Sequence, residues 1–223
     1  GTYADPTTLK DAAGRGPNNQ FIVLTDKGGS SIDTTGTVVQ TGETVTGAGT
    51  FKVRGTQSGQ VFTHDFAPGS GAVSLTATSG PVITIHGDAS LSDFSITGPF
   101  DTAIYGSNVG DVEIKNVTID GGGAGHDGIV IDQSDTSGTA NIDIDNVSIT
   151  GLTHDGIDLN VNGTSGGTST TNLNVSNSTV HVGHDGVAVT SSASGASNLT
   201  VYAGIHDSTI VAGGTGTAMS GTT

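Results

Sequence analysis

The word His-Asp-Gly followed by an apolar residue occurs three times, as His126-Asp127-Gly128-Ile129, His154-Asp155-Gly156-Ile157 and His184-Asp185-Gly186-Val187. The copies are 28 and 30 residues apart. Imidazole and carboxylate carry acid–base chemistry and also ligate borderline divalent metals. One copy alone signals little, because Asp-Gly is a common turn dipeptide. Three copies at nearly constant spacing imply a repeating backbone that brings them into register.

Such a backbone is visible in two further words. Asn-x-Ser/Thr-apolar appears as Asn116-Val117-Thr118-Ile119, Asn146-Val147-Ser148-Ile149 and Asn177-Ser178-Thr179-Val180, at offsets of 30 and 31 residues. A short alternating strand precedes each Asn: Val112-Glu113-Ile114, Ile142-Asp143-Ile144 and Leu173-Asn174-Val175. Degenerate copies flank these three. Asp93-Phe94-Ser95-Ile96 and Asp207-Ser208-Thr209-Ile210 put Asp in place of Asn, and neither is followed by His-Asp-Gly. Three strands of three to five residues per repeat are each too short for a stable hairpin. They suit one coil of a parallel solenoid whose equivalent strands stack about 4.8 Å apart. The expected fold is therefore all-β: a right-handed, single-stranded parallel β-helix with three short strands per coil.

In that coil Val117 and Ile119 face inward under Val147 and Ile149. Asn116, Asn146 and Asn177 are expected to form a structural ladder at a turn, closed by Asp93 and Asp207, because Asn tolerates left-handed backbone and can hydrogen-bond along the stack. Asn-x-Ser/Thr also spells a glycosylation acceptor, but a repeated internal turn is the preferred reading. His126, His154 and His184 then form a row about 5 Å apart. Asp127, Asp155 and Asp185 form a second row at the turn, placed to accept backbone N–H bonds. Three readings stay open: a stacking ladder, a binding or divalent-metal stripe, and a carboxylate pair of glycosidase type. Bare stacked aspartates should repel, and protonated histidines would relieve them. Catalysis needs two unlike carboxylates, which a uniform ladder does not obviously offer. No catalytic residue and no cofactor is assigned, apart from the metal option at the ladder.

Composition limits partners. The chain has 223 residues, 37 Gly, no Cys, no Trp and a formal charge of −15, with Lys115 its last basic residue. Asp outnumbers Glu 19 to 2, which favours turns over helices. Six basic residues cannot neutralise a phosphate backbone, so nucleic acid is excluded as a partner. No apolar run approaches the ~18 residues of a membrane helix, so this segment is not expected to insert directly in a membrane. Tyr105 and Tyr202 read as face-filling residues, and a carbohydrate cleft would favour aromatic platforms that are scarce here. The whole chain, residues 1–223, reads as a single β-helix domain. Residues 1–20 form a short N-terminal helical cap, residues 21–80 irregular first coils, and residues 81–223 regular coils of about 30 residues. Phe51-Lys52-Val53-Arg54 is read as a strand of a first coil. No signal peptide is visible, and the chain is expected to be a fragment of a longer protein whose further coils are its neighbours.

Three segments carry a family resemblance. They are Thr8-Leu9-Lys10-Asp11-Ala12 with Asn19-Gln20-Phe21-Ile22-Val23-Leu24, then Gly36-Thr37-Val38-Val39 through Gly47, and the repeated Asn-Val-x-Ile-x-Gly with a later Gly-Ile-x-Ile. Together they resemble the pectate-lyase-like parallel β-helix superfamily, and most of all the passenger segments of bacterial autotransporters and adhesins. The resemblance implies an extracellular or bacterial cell-surface location and a non-catalytic rod that displays loops or binds a host surface protein or glycan. The same superfamily includes polysaccharide lyases, glycoside hydrolases and tailspikes, so a polysaccharide-active protein is the alternative. The lyases typically use an Arg or Lys base with a cation site, and no Lys or Arg follows Lys115.

Overall fold

A computed structural model describes residues 9, 13, 21–24, 31–47, 49–54, 61–66, 73–134, 137–163, 167–194, 197–214 and 216–222, with side chains left out for 49–54, 61–66 and 218–222. The chain is an all-β right-handed parallel β-helix of seven coils. The first coil holds β1 (Phe21–Val23), β2 (Ile32–Asp33) and β3 (Val38–Val39). The second holds β4 (Glu43–Thr46), then β5 (Gly49–Arg54) and β6 (Val61–Phe66), then β7 (Ser74–Thr76) and β8 (Ile83–His86). The third is β9 (Ala89–Ser92), β10 (Ser95–Thr97) and β11 (Thr102–Ser107), and the fourth β12 (Asp111–Lys115), β13 (Thr118–Gly125) and β14 (Asp127–Ser134). The fifth is β15 (Gly138–Asp145), β16 (Ser148–Leu152) and β17 (Ile157–Gly163), and the sixth β18 (Thr168–Ser176), β19 (Thr179–Val182) and β20 (Val187–Ala193). The seventh is β21 (Asn198–His206), β22 (Thr209–Ala212) and β23 (Thr217–Thr222).

Equivalent strands stack into three seven-stranded sheets: β1-β4-β9-β12-β15-β18-β21, β2-β7-β10-β13-β16-β19-β22 and β3-β8-β11-β14-β17-β20-β23. All pairing within them is parallel. Period-2 alternation fixes the register, because a one-residue slip would turn the apolar column outward. In the second sheet Ile96, Ile119, Ile149 and Val180 stack in sequence, each fully buried. The third sheet carries Ile104, Ile129, Ile157 and Val187 in the same way. Burying each such side chain stabilises by about 1.5–3 kcal/mol. Where the sixth coil puts Ser178 at the inward Val117 and Val147 position, its hydroxyl donates to Ser176 O at 2.7 Å and accepts Val147 N–H at 3.1 Å.

Two expectations need correction. Phe51–Arg54 is not a coil strand: β5 pairs antiparallel with β6 in a separate two-stranded ribbon inserted between β4 and β7. A repeat of about 30 residues describes the later coils, where equivalent residues lie 28 to 31 apart, whereas the third and fourth coils are offset by 23 on the first corner. The later coils are longer because β13 runs on through Gly121–Gly125 and β15 and β18 begin earlier on their sheet. Of the expected cap over residues 1–20, only Leu9 and Ala13 are described. Both have helical backbone and are buried in the core, and the remainder lies outside the described residues. Among the described residues no helix is long and apolar enough to cross a membrane.

Candidate functional site: a histidine–aspartate stripe

The corner that leads into β14, β17 and β20 brings the three His-Asp-Gly words together. Backbone bonds tie the corners: His154 N–H donates to His126 O and His184 N–H to His154 O, both at 3.2 Å. The imidazoles stack, with ring centroids 4.4 Å apart for His126 and His154 and 4.9 Å apart for His154 and His184, each pair 10° from parallel. All three rings are about half exposed, while the Asp127 and Asp155 side chains are only 18% and 10% exposed.

The aspartates are interleaved with the rings rather than stacked bare. Asp127 bridges two imidazoles: its Oδ2 lies 2.8 Å from His126 Nδ1 and its Oδ1 2.7 Å from His154 Nδ1. Asp155 repeats the bridge, with Oδ2 3.4 Å from His154 Nδ1 and Oδ1 2.5 Å from His184 Nδ1. Each bridging carboxylate is also held from the next coil, by Asp155 N–H at 3.2 Å on Asp127 and Asp185 N–H at 2.9 Å on Asp155. Asp185 closes the row, 3.9 Å from His184 Nδ1. The hydrogen bond to Asp155, then that carboxylate's charge, holds His184 above the usual imidazole range.

The glycine of the word is required at the corner for space. Gly128, Gly156 and Gly186 do not adopt positive φ. They leave space: a Cβ at Gly156 would lie 2.4 Å from Val180 Cγ1 and 2.6 Å from Gly186 O, and one at Gly186 2.1 Å from Ile210 Cγ2. The corner is therefore drawn tight against the core, which keeps the rings in register. The stripe ends above at the seventh coil's corner, where Gly214 places its N–H on His184 O at 2.8 Å and has no side chain to continue the row.

The other predicted residues take their own places. Asp93, Asn116, Asn146, Asn177 and Asp207 all have φ between 50° and 61°. Asn116 Nδ2 donates to Asp93 Oδ1 at 2.9 Å and Asn146 Nδ2 to Asn116 Oδ1 at 2.8 Å. The row then changes partner: Asn177 Nδ2 donates to Asp145 Oδ1 at 2.7 Å, and Asp207 lies 3.4 Å from His206 Nδ1. The Asn177 bond, then Ser176 and Lys115, holds Asp145 below the usual carboxylate range. Tyr202 is 64% exposed, while Tyr105 donates its hydroxyl to Asp132 at 3.0 Å.

Several polar residues on the same rod went unread in the sequence. Asn160 Nδ2 donates to both Asp132 Oδ1 at 3.1 Å and Asp158 Oδ2 at 2.9 Å, and Thr190 hydrogen-bonds Asn160. Burial, the largest influence, pushes the Asp158 carboxyl up. A second ladder runs Asp111–Asn141–Asn172, with bonds of 2.7 and 2.8 Å. Its signal was present as Asp or Asn recurring at 30- and 31-residue offsets on the outward parity of the first strand. No family model matches the chain, and no curated protein or solved structure aligns with it.

Proposed function

We propose that the chain is a non-catalytic, extracellular β-helical rod or passenger segment of a bacterial surface or secreted adhesin-like protein, serving display or binding. The observation that carries this reading is the stacking of three parallel seven-stranded sheets around one apolar core. Such a stack makes a stiff solenoid, each coil hydrogen-bonded to its neighbours. Its net charge of −15 keeps it soluble and repels anionic surfaces. A host surface protein or glycan is the partner class that this reading implies. Incubation with pectic, alginate and host glycans, followed by product analysis, is expected to give no turnover, and clean turnover of any one of them would sink the reading.

One observation favours a polysaccharide-active protein instead. Asp158, pushed toward its protonated form by burial, and Asp132, held by Tyr105 and Asn160, are carboxylates in unlike settings on one sheet face. Unlike carboxylates are what acid–base cleavage of a glycosidic bond requires. If a substrate emerges, Asp158→Asn should abolish its cleavage while leaving the fold intact, read by product release and circular dichroism.

A further inference from the structure

We propose that the two triads His126–Asp127–His154 and His154–Asp155–His184 form a binding site for a borderline divalent cation of the Zn²⁺, Ni²⁺ or Cu²⁺ class. In each triad, one ligand atom from every residue lies within 4.8 Å of the others. Two imidazole nitrogens with a bridging carboxylate are a donor set that suits these ions, whereas Ca²⁺ and Mg²⁺ favour all-oxygen shells.

Three features make the triads more than a chance meeting of side chains. The carboxylates are preset, since backbone N–H groups of the next coil hold Asp127 and Asp155 independently of the rings. The rings are brought side by side too, by stacking and by the corner ladder beneath them. Preorganised ligands lose little freedom when an ion arrives. The surrounding charge is favourable, because no Lys or Arg follows Lys115, and Lys115 itself pairs with Asp145 at 3.2 Å.

The geometry needs a rearrangement of the rings. Ligand atoms on a tetrahedral ion lie about 3.3 Å apart, so each ring nitrogen must draw off its carboxylate oxygen by about half an ångström or more. The stacked rings, now 10° from parallel, must also tilt so that their in-plane lone pairs converge on one ion. Half-exposed rings have room to do so. An ion at Nδ1 takes the place of the shared hydrogen, and the neutral ring then carries its hydrogen on Nε2. Both triads use His154 Nδ1, so the chain takes one ion at a time, shared between two overlapping positions.

Calorimetric titration of the whole 223-residue chain with ZnCl₂ and NiCl₂, with MgCl₂ for comparison, tests the site. Saturable 1:1 binding of Zn²⁺ and Ni²⁺ but not Mg²⁺ is expected. His154→Ala should weaken binding at least about tenfold, as loss of a metal-orienting group commonly does. Asp127→Asn or Asp155→Asn alone leaves one triad and should change affinity by about twofold or less, while the pair together should abolish it. His206→Ala, remote from both triads, should leave it unchanged. Should His154→Ala fail to fold, His126→Ala with His184→Ala removes one ring from each triad, keeps the centre of the stack, and is expected to weaken binding as strongly. Side-chain ¹⁵N spectra should move His126, His154 and His184 toward the Nε2–H tautomer on Zn²⁺ addition, which a purely stacking role would not produce. Absence of saturable binding, undiminished binding by folded His154→Ala, or shifts confined to the other histidines would overturn the site.

Discussion

The Asn ladder and Asp158 show how much a single side chain can matter on a regular scaffold. Asn146 sits at φ 53° and donates to Asn116, so two contributions meet in one residue. Replacing it by Gly removes the hydrogen bond but keeps the left-handed backbone easy, whereas Ala loses both. Chemical denaturation should therefore find Asn146→Ala about 1 kcal/mol less stable than Asn146→Gly. Asp158 works the other way. Burial holds its carboxyl above the usual range, so folding favours the protonated form. The cost of ionising it is absent below the unfolded value of about 3.9 and fully present above the raised one. Asp158→Asn should raise the melting temperature at pH 7, and the gain should vanish as the pH falls toward about 3. A variant that melts identically to the parent at both pH values would contradict this origin of the shift.

At the scale of the strand and corner, the stabilising contacts are inward columns and close approaches. Ile149 is fully buried between Ile119 and Val180, and Ile149→Ala should cost about 2–5 kcal/mol by urea unfolding. Gly156→Ala should also destabilise, by about 1–3 kcal/mol, because its Cβ meets Val180 Cγ1 and the Gly186 carbonyl. A loss of the stacked-ring geometry should accompany it, seen as altered imidazole resonances. These corners explain what the sequence could and could not reveal. Strand words such as Asn-Val-x-Ile were legible because burial enforces alternation at every coil. The row of His126, His154 and His184 was legible from spacing alone. The interleaving of Asp127 and Asp155 between rings was not, because it depends on which way each χ1 turns at a corner. Asp-Gly marked the corner, but the reason Gly128, Gly156 and Gly186 stand there was not legible, because sequence does not distinguish a need for positive φ from a need for space. The Asp132–Asn160 contact escaped because its members pair across coils without sharing a repeated word.

Across the whole molecule, each coil contacts chiefly its neighbours, so the rod behaves as a one-dimensional stack in which local changes need not propagate. The third coil's shorter offset of 23 residues fits the same three sheets as its longer successors, which places length variation at strand ends and corners rather than in the inward columns. The antiparallel ribbon of β5 and β6 is the extreme case. In the third coil, Asp93 and Phe94 alone join β9 to β10. In the second coil, Gly47 lies against Asp93, with its N–H on Ser92 O at 2.9 Å, and Val73 leads into β7 with its carbonyl accepting Ser95 N–H at 2.7 Å. Gly47 and Val73 thus occupy the two places that Asp93 and Phe94 fill one coil above, and everything between them is extra. Excising residues 48–72 and joining Gly47 to Val73 should close an ordinary corner, since glycine can take whatever backbone conformation the junction needs. The shortened chain is expected to keep its β circular dichroism and melt within about 5 °C of the parent. By the same logic the corner is a cassette: an unrelated hairpin or epitope whose ends lie as close together can be spliced there without the rod registering the exchange.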